Sequence, residues 1–298
     1  MEHIISELKG RFRRGTIATQ LIYINVGLFL IVSICHTINW LFQSKLGWLD
    51  DWVNYLILPS NPDQLLHQPW SIISYMFMHQ GIWHLLFNML CLYGFGQLFL
   101  LFFSARHLRG VYLFGGILGA ITFLLAQFLP IFQAQGPSFL LGASASVLAI
   151  ITAVAVKEPN YPVRLFLLGS IRMKYVALGL ILISIISVPG GNAGGEMAHL
   201  GGALGGWFFT ASLNKGRDLT KFINLCLDKL QSLFDWKLHT RKPKMKVYSA
   251  KEPKDWQFNA RKKEEDKKID QILDKLKRSG YESLTAEEKK SLFDASKR

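Results

Sequence analysis

Charge is what most of this 298-residue chain lacks. Up to Lys215 it holds only 12 basic and 7 acidic residues, while Gly216 onward carries 22 and 14. Over the whole chain 18% of residues are charged and half are hydrophobic, whereas a soluble domain carries nearer a quarter charged. That scarcity excludes a water-soluble enzyme and predicts a bilayer protein with a wet, basic tail. Cysteine is scarce too. Cys35, Cys91 and Cys226 stand in unrelated places, which excludes a disulfide framework and a zinc cluster. No His-Glu-x-x-His occurs, so a metalloprotease is excluded. No pair of carboxylates lies within the apolar runs, which excludes an aspartyl protease. Symmetric halves with buried charges, the mark of a small transporter, are missing as well.

What is present is apolar sequence in lengths of about 20 residues, enough to cross a bilayer. Such segments fall near 17–42, 80–103, 110–130, 139–156, 173–189 and 195–213. The first follows Lys9, Arg11, Arg13 and Arg14, but exceeds a cleavable signal core and is read as a retained anchor. Six spans put Lys9 to Arg14, then Arg106 and Arg109, then Lys157 to Lys174, then Lys215 and Arg217 on one face. The opposite loops hold Lys45 against Asp50, Asp51 and Asp63, no charge over 131–138, and Glu196. Both termini are therefore expected to be cytoplasmic. The long first loop carries Trp48, Trp52, Trp70 and Tyr75, read as interfacial anchors.

Polar groups inside spans are costly and are the first functional suspects. His79, His84 and Asn88 accompany span two, Ser144 and Ser146 span four, Glu196 and His199 span six. Ser144 is expected about five residues into its helix and His199 about four, each roughly 6–8 Å from the same face. Small residues surround both: Gly142, Ala145, Ser146, Ala149 and Ala153 on one helix, Gly195, Ala198, Gly202, Gly205 and Gly206 on the other. Stripes of this kind let two backbones approach closely. A serine and a histidine at equal depth on such helices predict nucleophilic catalysis, the imidazole taking the hydroxyl proton. No aspartate lies inside a span, so the pair is expected to be a dyad. Glu196, three residues before His199 on the same helical face, could orient that ring, but is read first as a solvated helix-start residue favoured by the dipole. His84 and Asn88, four apart on one helical face, are the candidate oxyanion donors with the Ser144 N–H. His79 is read as a structural loop histidine.

These residues carry a resemblance. Gln68-Pro69-Trp70 leading to Tyr75-Met76-Phe77-Met78-His79, then Trp83-His84 to Asn88-Met89, Leu141-Gly142-Ala143-Ser144, and Ala198-His199 to Gly202 stand in that order. In them the chain resembles the rhomboid intramembrane serine proteases across roughly residues 15–213. The resemblance implies an all-α membrane protein, a six-transmembrane-helix bundle with a water-filled cavity open to the outside. It implies Ser144 as nucleophile, His199 as base, His84 and Asn88 at the oxyanion, and cleavage of transmembrane substrates near their outer ends, with no metal and no cofactor. Two positions depart from the pattern. Ala145 replaces the last glycine of Gly-x-Ser-Gly, and Leu148 stands where many members place an aromatic ring. A catalytically silent relative that binds membrane helices without cutting them is the alternative.

Four segments are expected: a cytoplasmic stretch over 1–15, the membrane domain over 16–214, an amphipathic helix and basic linker over 215–255, and a small helical hairpin over 256–298. The first tail helix shows Phe222, Leu225, Leu230, Leu233 and Phe234 at helical spacing, suited to the inner membrane surface. Lys237 to Lys254 reads as linker drawn to anionic lipid. Ile269, Ile272, Leu273 and Leu276 form a helical stripe that Gly280 ends, and Thr285 to Glu288 offers a capping box. The pair resembles an appendage of some bacterial rhomboids, which sets the expected location as a bacterial plasma membrane. Partners are expected to be lipid and transmembrane proteins, not nucleic acid, with the oligomeric state open.

Overall fold

The computed structural model describes residues 7, 10, 12, 14–42, 52–165, 169–235 and 254–296, with side chains for all of these but 233–235, 254–260 and 296. Lys9, Arg11, Arg13, Trp48 and the linker from Lys237 lie outside the described residues, as do the side chains of Leu233 and Phe234. The chain divides into two compact units, residues 1–238 and 239–298.

The first unit is a helical membrane bundle. Helix α1 (Ile17–Leu41) begins at Thr16, whose hydroxyl accepts from the Thr19 N–H at 3.3 Å. A folded loop follows, with strand β1 (Leu58–Pro59) and short helices α2 (Pro62–His67) and α3 (Ser71–Ser74), the last running into a 3₁₀ turn at Tyr75–Phe77. Next come α4 (Ile82–Phe102), α5 (Ala105–Ala126), the short α6 (Pro130–Ala134), strand β2 (Phe139–Leu140) and α7 (Ser144–Lys157). A hairpin of β3 (Pro162–Leu165) and β4 (Gly169–Arg172) leads to α8 (Met173–Ser187), α9 (Ala193–Leu213) and the tail helix α10 (Lys221–Asp235). Among the described residues three helices, α1, α4 and α5, are long and apolar enough to cross a membrane, and α7 and α8 are shorter apolar helices.

Two boundaries differ from expectation, each because of contacts with residues distant in sequence. The third span, expected over 110–130, runs over Ala105–Ala126 instead. Ser104 caps it by accepting from the His107 N–H at 3.2 Å, and its first-turn charges are satisfied. Arg106 and Arg109 both pair with Asp228 of α10, and Arg109 Nε donates to Asn224 Oδ1 at 2.8 Å. The fourth span, expected from 139, starts only at Ser144, because Phe139 and Leu140 pair as a strand with Pro59 and Leu58. Gly142 then turns the chain at φ +124, a backbone angle that side-chain-bearing residues rarely adopt.

The centre of the bundle is made of α5, α7 and α9, and small residues set their spacing. A Cβ placed on Gly202 would lie 2.1 Å from the Ala145 carbonyl oxygen, and one on Gly206 2.1 Å from that of Ala149. The glycines of α5, which the sequence reading passed over, complete the contact: a Cβ on Gly115 would sit 2.2 Å from Ala149 Cβ. With backbones this close, hydroxyls reach neighbouring carbonyls. Thr122 Oγ1 donates to Met197 O at 2.9 Å and Thr210 Oγ1 to Ala153 O at 3.1 Å.

Of the first-loop aromatics read as interfacial anchors, Trp70 is half exposed and Tyr75 is not a surface group. Tyr75 is buried and donates to Gly116 O at 2.7 Å. Trp70 Nε1 donates to Tyr55 O at 2.8 Å, and Gln68 Nε2 donates to the carbonyls of Asn54 and Ile57. The loop thereby satisfies its own backbone and leans on α5, which non-helical chain at a membrane boundary requires.

At the other end of the bundle, Lys157 Nζ donates to Asn214 Oδ1 at 3.4 Å, and both line a cavity with Ser104 and His107. The basic helix ends of α5, α7 and α9 thus share one face. On α10, Phe222, Leu225 and Leu230 are exposed, while Asp228 and Asn224 face α5.

The second unit consists of α11 (Lys254–Ser279), a 3₁₀ turn at Tyr281–Ser283 and α12 (Ala286–Ser296). Gly280 turns at φ +76. The capping box closes in both directions: the Thr285 N–H donates to Glu288 Oε2 at 2.8 Å, and the Glu288 N–H to Thr285 Oγ1 at 3.3 Å. The ammonium of Lys275, 2.9 Å away, and the Thr285 N–H hold the Glu288 carboxyl below the usual carboxylate range.

Candidate active site

Ser144 is the first residue of α7, not the fifth, and His199 the seventh of α9. The helices therefore do not start level, yet the two side chains meet: Ser144 Oγ lies 2.7 Å from His199 Nε2. The approach follows from the packing below them. Gly202, one turn on from His199, abuts the backbone of Ala145, next to Ser144. Any side chain there would separate the helices that carry the hydroxyl and the imidazole.

As the first helical residue, Ser144 presents a backbone N–H with no partner inside the helix. No side chain caps this end, where Ala143 is the N-cap. The donors of α7's first turn thus face the region beside the serine oxygen. Opposite stand the two candidates on α4. A Cβ on Gly142 would lie 2.9 Å from His84 Nε2 and 3.7 Å from Ser144 Oγ, so the His84 ring packs over a glycine beside Ser144. Asn88 is buried and lines one cavity with Ser144 and His199. Its Nδ2 donates to His84 O at 2.9 Å, which leaves the second amide hydrogen available.

His79 lies outside α4, is buried, and sits edge-on to His84 with ring centroids 5.1 Å apart. Its position is that of a support for the His84 ring. Ser146, the other serine of α7, is fully buried and does not line the cavity.

The cavity encloses about 260 Å³ and is bounded by Phe87, Val147, Leu148, Ile151, Leu180 and Ile183 around its polar groups. Leu148 takes part in this wall. Ala145 does not: its methyl group points away from the cavity, toward Gly119 of α5, where a Cβ would come within 2.7 Å. The departure from the expected glycine is accommodated on the far side of the helix.

Two neighbours of His199 differ from the sequence reading. Glu196 is not a solvated helix-start residue, since its side chain is 15% exposed and its Oε2 lies 3.0 Å from His199 Nδ1. Ser184 of α8 was not singled out at all, yet its Oγ lies 3.2 Å from the same nitrogen. Glu196 was detectable from its spacing three residues before His199, which puts both on one face. Ser184 sits in a plain apolar run and gave no signal.

Comparison with known proteins finds relatives of the membrane domain. A family model for the Rhomboid domain matches residues 66–215, and one described as "Family of unknown function (DUF6576)" matches residues 253–298. "Rhomboid protein 1, mitochondrial" of Saccharomyces cerevisiae is 30% identical over 159 residues, covering 49% of this chain and 44% of that protein. "Presenilin-associated rhomboid-like protein A, mitochondrial" of Danio rerio is 32% identical over 151 residues, covering 44% of this chain and 34% of that protein. The matched stretch spans less than half the length of either relative.

Proposed function

Since this chain belongs to the rhomboid family, we propose that it is an intramembrane serine endopeptidase, cleaving transmembrane protein substrates near the outer face of the membrane with Ser144 as nucleophile and His199 as base. The observation that carries this reading is the 2.7 Å contact between Ser144 Oγ and His199 Nε2 at the mouth of a cavity. Nε2 takes the Ser144 proton as Oγ attacks the scissile carbonyl, and returns it to the leaving amine. Water then repeats the sequence on the acyl-enzyme. The oxygen that becomes negative is met by the Ser144 N–H, the free Asn88 amide hydrogen and the His84 ring.

Length supports a recessed site. A 14-residue helix is about 21 Å long, short of the roughly 30 Å apolar core of a bilayer. With Lys157 at the basic surface, the Ser144 end lies below the opposite surface, roofed by the paired strands and the folded first loop. Helices α1, α4, α5, α7, α8 and α9 are proposed as six crossings, with both termini on the basic, cytoplasmic side. The proposed membrane is a bacterial plasma membrane, on the likeness of the tail hairpin to an appendage of bacterial rhomboids. The silent-relative alternative drew on Ala145, and the methyl directed at Gly119 removes that support.

The test is cleavage of a model transmembrane substrate by the full-length protein in liposomes. Ser144→Ala and His199→Ala are each expected to reduce cleavage to background while thermal unfolding in detergent stays that of the parent. Cleavage persisting in Ser144→Ala would refute the assignment.

A further inference from the structure

We propose that Glu196, with Ser184 beside it, is a positioning residue that holds the His199 ring with its proton on Nδ1, so that Nε2 is the free acceptor for the serine proton. The proposal rests on the protease reading above and replaces the expected two-residue arrangement with a relay of three. Glu196 Oε2 lies 3.0 Å from His199 Nδ1 and Ser184 Oγ lies 3.2 Å from it, on the side of the ring opposite the 2.7 Å contact to Ser144. All four residues line the same cavity.

A neutral imidazole carries one proton, and the group facing each nitrogen decides which nitrogen holds it. A carboxylate can only accept. The carboxylate at Nδ1 therefore fixes the proton there, and the lone pair at Nε2 faces Ser144. Neither is Glu196 placed as a water-facing charge, for its side chain is 15% exposed and that of His199 23%. Ser184 is buried on α8, while its neighbours Leu182, Ile185 and Ile186 are exposed. A hydroxyl turned inward on such a helix supplies a second acceptor to the same N–H. Both attach from different elements, Glu196 from α9 and Ser184 from α8, which restrains ring rotation about χ2 as well as tautomer.

The proton balance is simple. During attack the Ser144 proton moves to Nε2, and the imidazolium then sits 3.0 Å from the Glu196 carboxylate. Glu196 stays ionised and takes no proton; it stabilises the charge that appears on the ring. The ionisable groups that face His199 are Glu196 on its own helix, and His84 and Cys91 on α4 across the cavity.

Two measurements on the full-length protein test this. The first uses Ser144→Ala labelled with ¹⁵N-histidine, whose ring-nitrogen signals report without any turnover which nitrogen of His199 holds the proton. Adding Glu196→Gln is expected to shift that proton from Nδ1 toward Nε2, because an amide can donate to Nδ1 as well as accept from it. Glu196→Asp is expected to keep the proton on Nδ1. The second follows substrate cleavage. Glu196→Gln should reduce kcat roughly tenfold to hundredfold with KM little changed. Ser184→Ala should cost less. An unchanged tautomer in Glu196→Gln overturns the positioning role. A shifted tautomer in a protein that cleaves nothing upholds it and refutes the protease reading instead.

Discussion

At the residue scale the site depends on what is small as much as on what is reactive. Gly142 leaves room for the His84 ring, Gly119 for the Ala145 methyl, and Gly202 for the backbone that carries Ser144. Asn88 gives the sharpest residue-level prediction. It sits in the cavity with one amide hydrogen already committed to His84 O, so only its second can reach a developing oxyanion. Asn88→Ala should lower kcat by about 10²–10³, the usual loss for one side-chain donor, with KM nearly unchanged. Steady-state cleavage kinetics check this, and an unchanged kcat would make Asn88 a purely structural contact. The sequence was legible at this scale where chemistry is rare in context: a serine, two histidines and an asparagine inside apolar runs mark themselves. It was illegible for Ser184, whose importance comes only from which way an ordinary apolar helix is rotated. Glu196 was visible but misjudged, because a carboxylate in a first helical turn has a sufficient explanation in the helix dipole.

At the element scale α5, α7 and α9 do the positioning, with glycines of α5 and α9 set against alanines of α7, and the other helices surround them. The contrast between Gly202 and Gly179 makes this testable. A Cβ on Gly202 would strike the Ala145 carbonyl at 2.1 Å, while one on Gly179, on α8, meets nothing within 4 Å. Gly202→Val should lower the thermal midpoint in detergent and abolish cleavage, since forcing backbones apart costs about 1–3 kcal/mol or more. Gly179→Ala should leave both within error. Equal stability of the two variants would contradict the packing account. Hydrophobic length located the apolar helices of the first unit in the sequence, but not all of their ends. Span three was displaced by about five residues because the charges that cap its start find partners on α10, more than a hundred positions later in the chain. Span four was drawn too long because Phe139 and Leu140 are apolar for a sheet, not for a helix. Long-range pairing of this kind leaves no local period to read. Local signals did carry where partners are near in sequence. The Thr285–Glu288 box closes reciprocally, and Gly280 turns the chain before it.

At the scale of the whole molecule, charge distribution and bundle geometry give one account. Lysines and arginines gather where α5, α7 and α9 have their basic ends, and Ser144 begins a short helix at the opposite end. Ser144 opens onto a cavity walled by Phe87, Leu148, Leu180 and Ile183, where, on the proposed reading, it would meet the scissile peptide bond. Helix α10 is tied to the bundle through Asp228 and Asn224, which pair with Arg109. The central claim is that Ser144 is an activated nucleophile, and active-site labelling of the full-length protein with a fluorophosphonate tests it most directly. The account predicts a single adduct, located by peptide mass spectrometry on Ser144, and its loss in His199→Ala. An adduct on another serine, or undiminished labelling without His199, would contradict it.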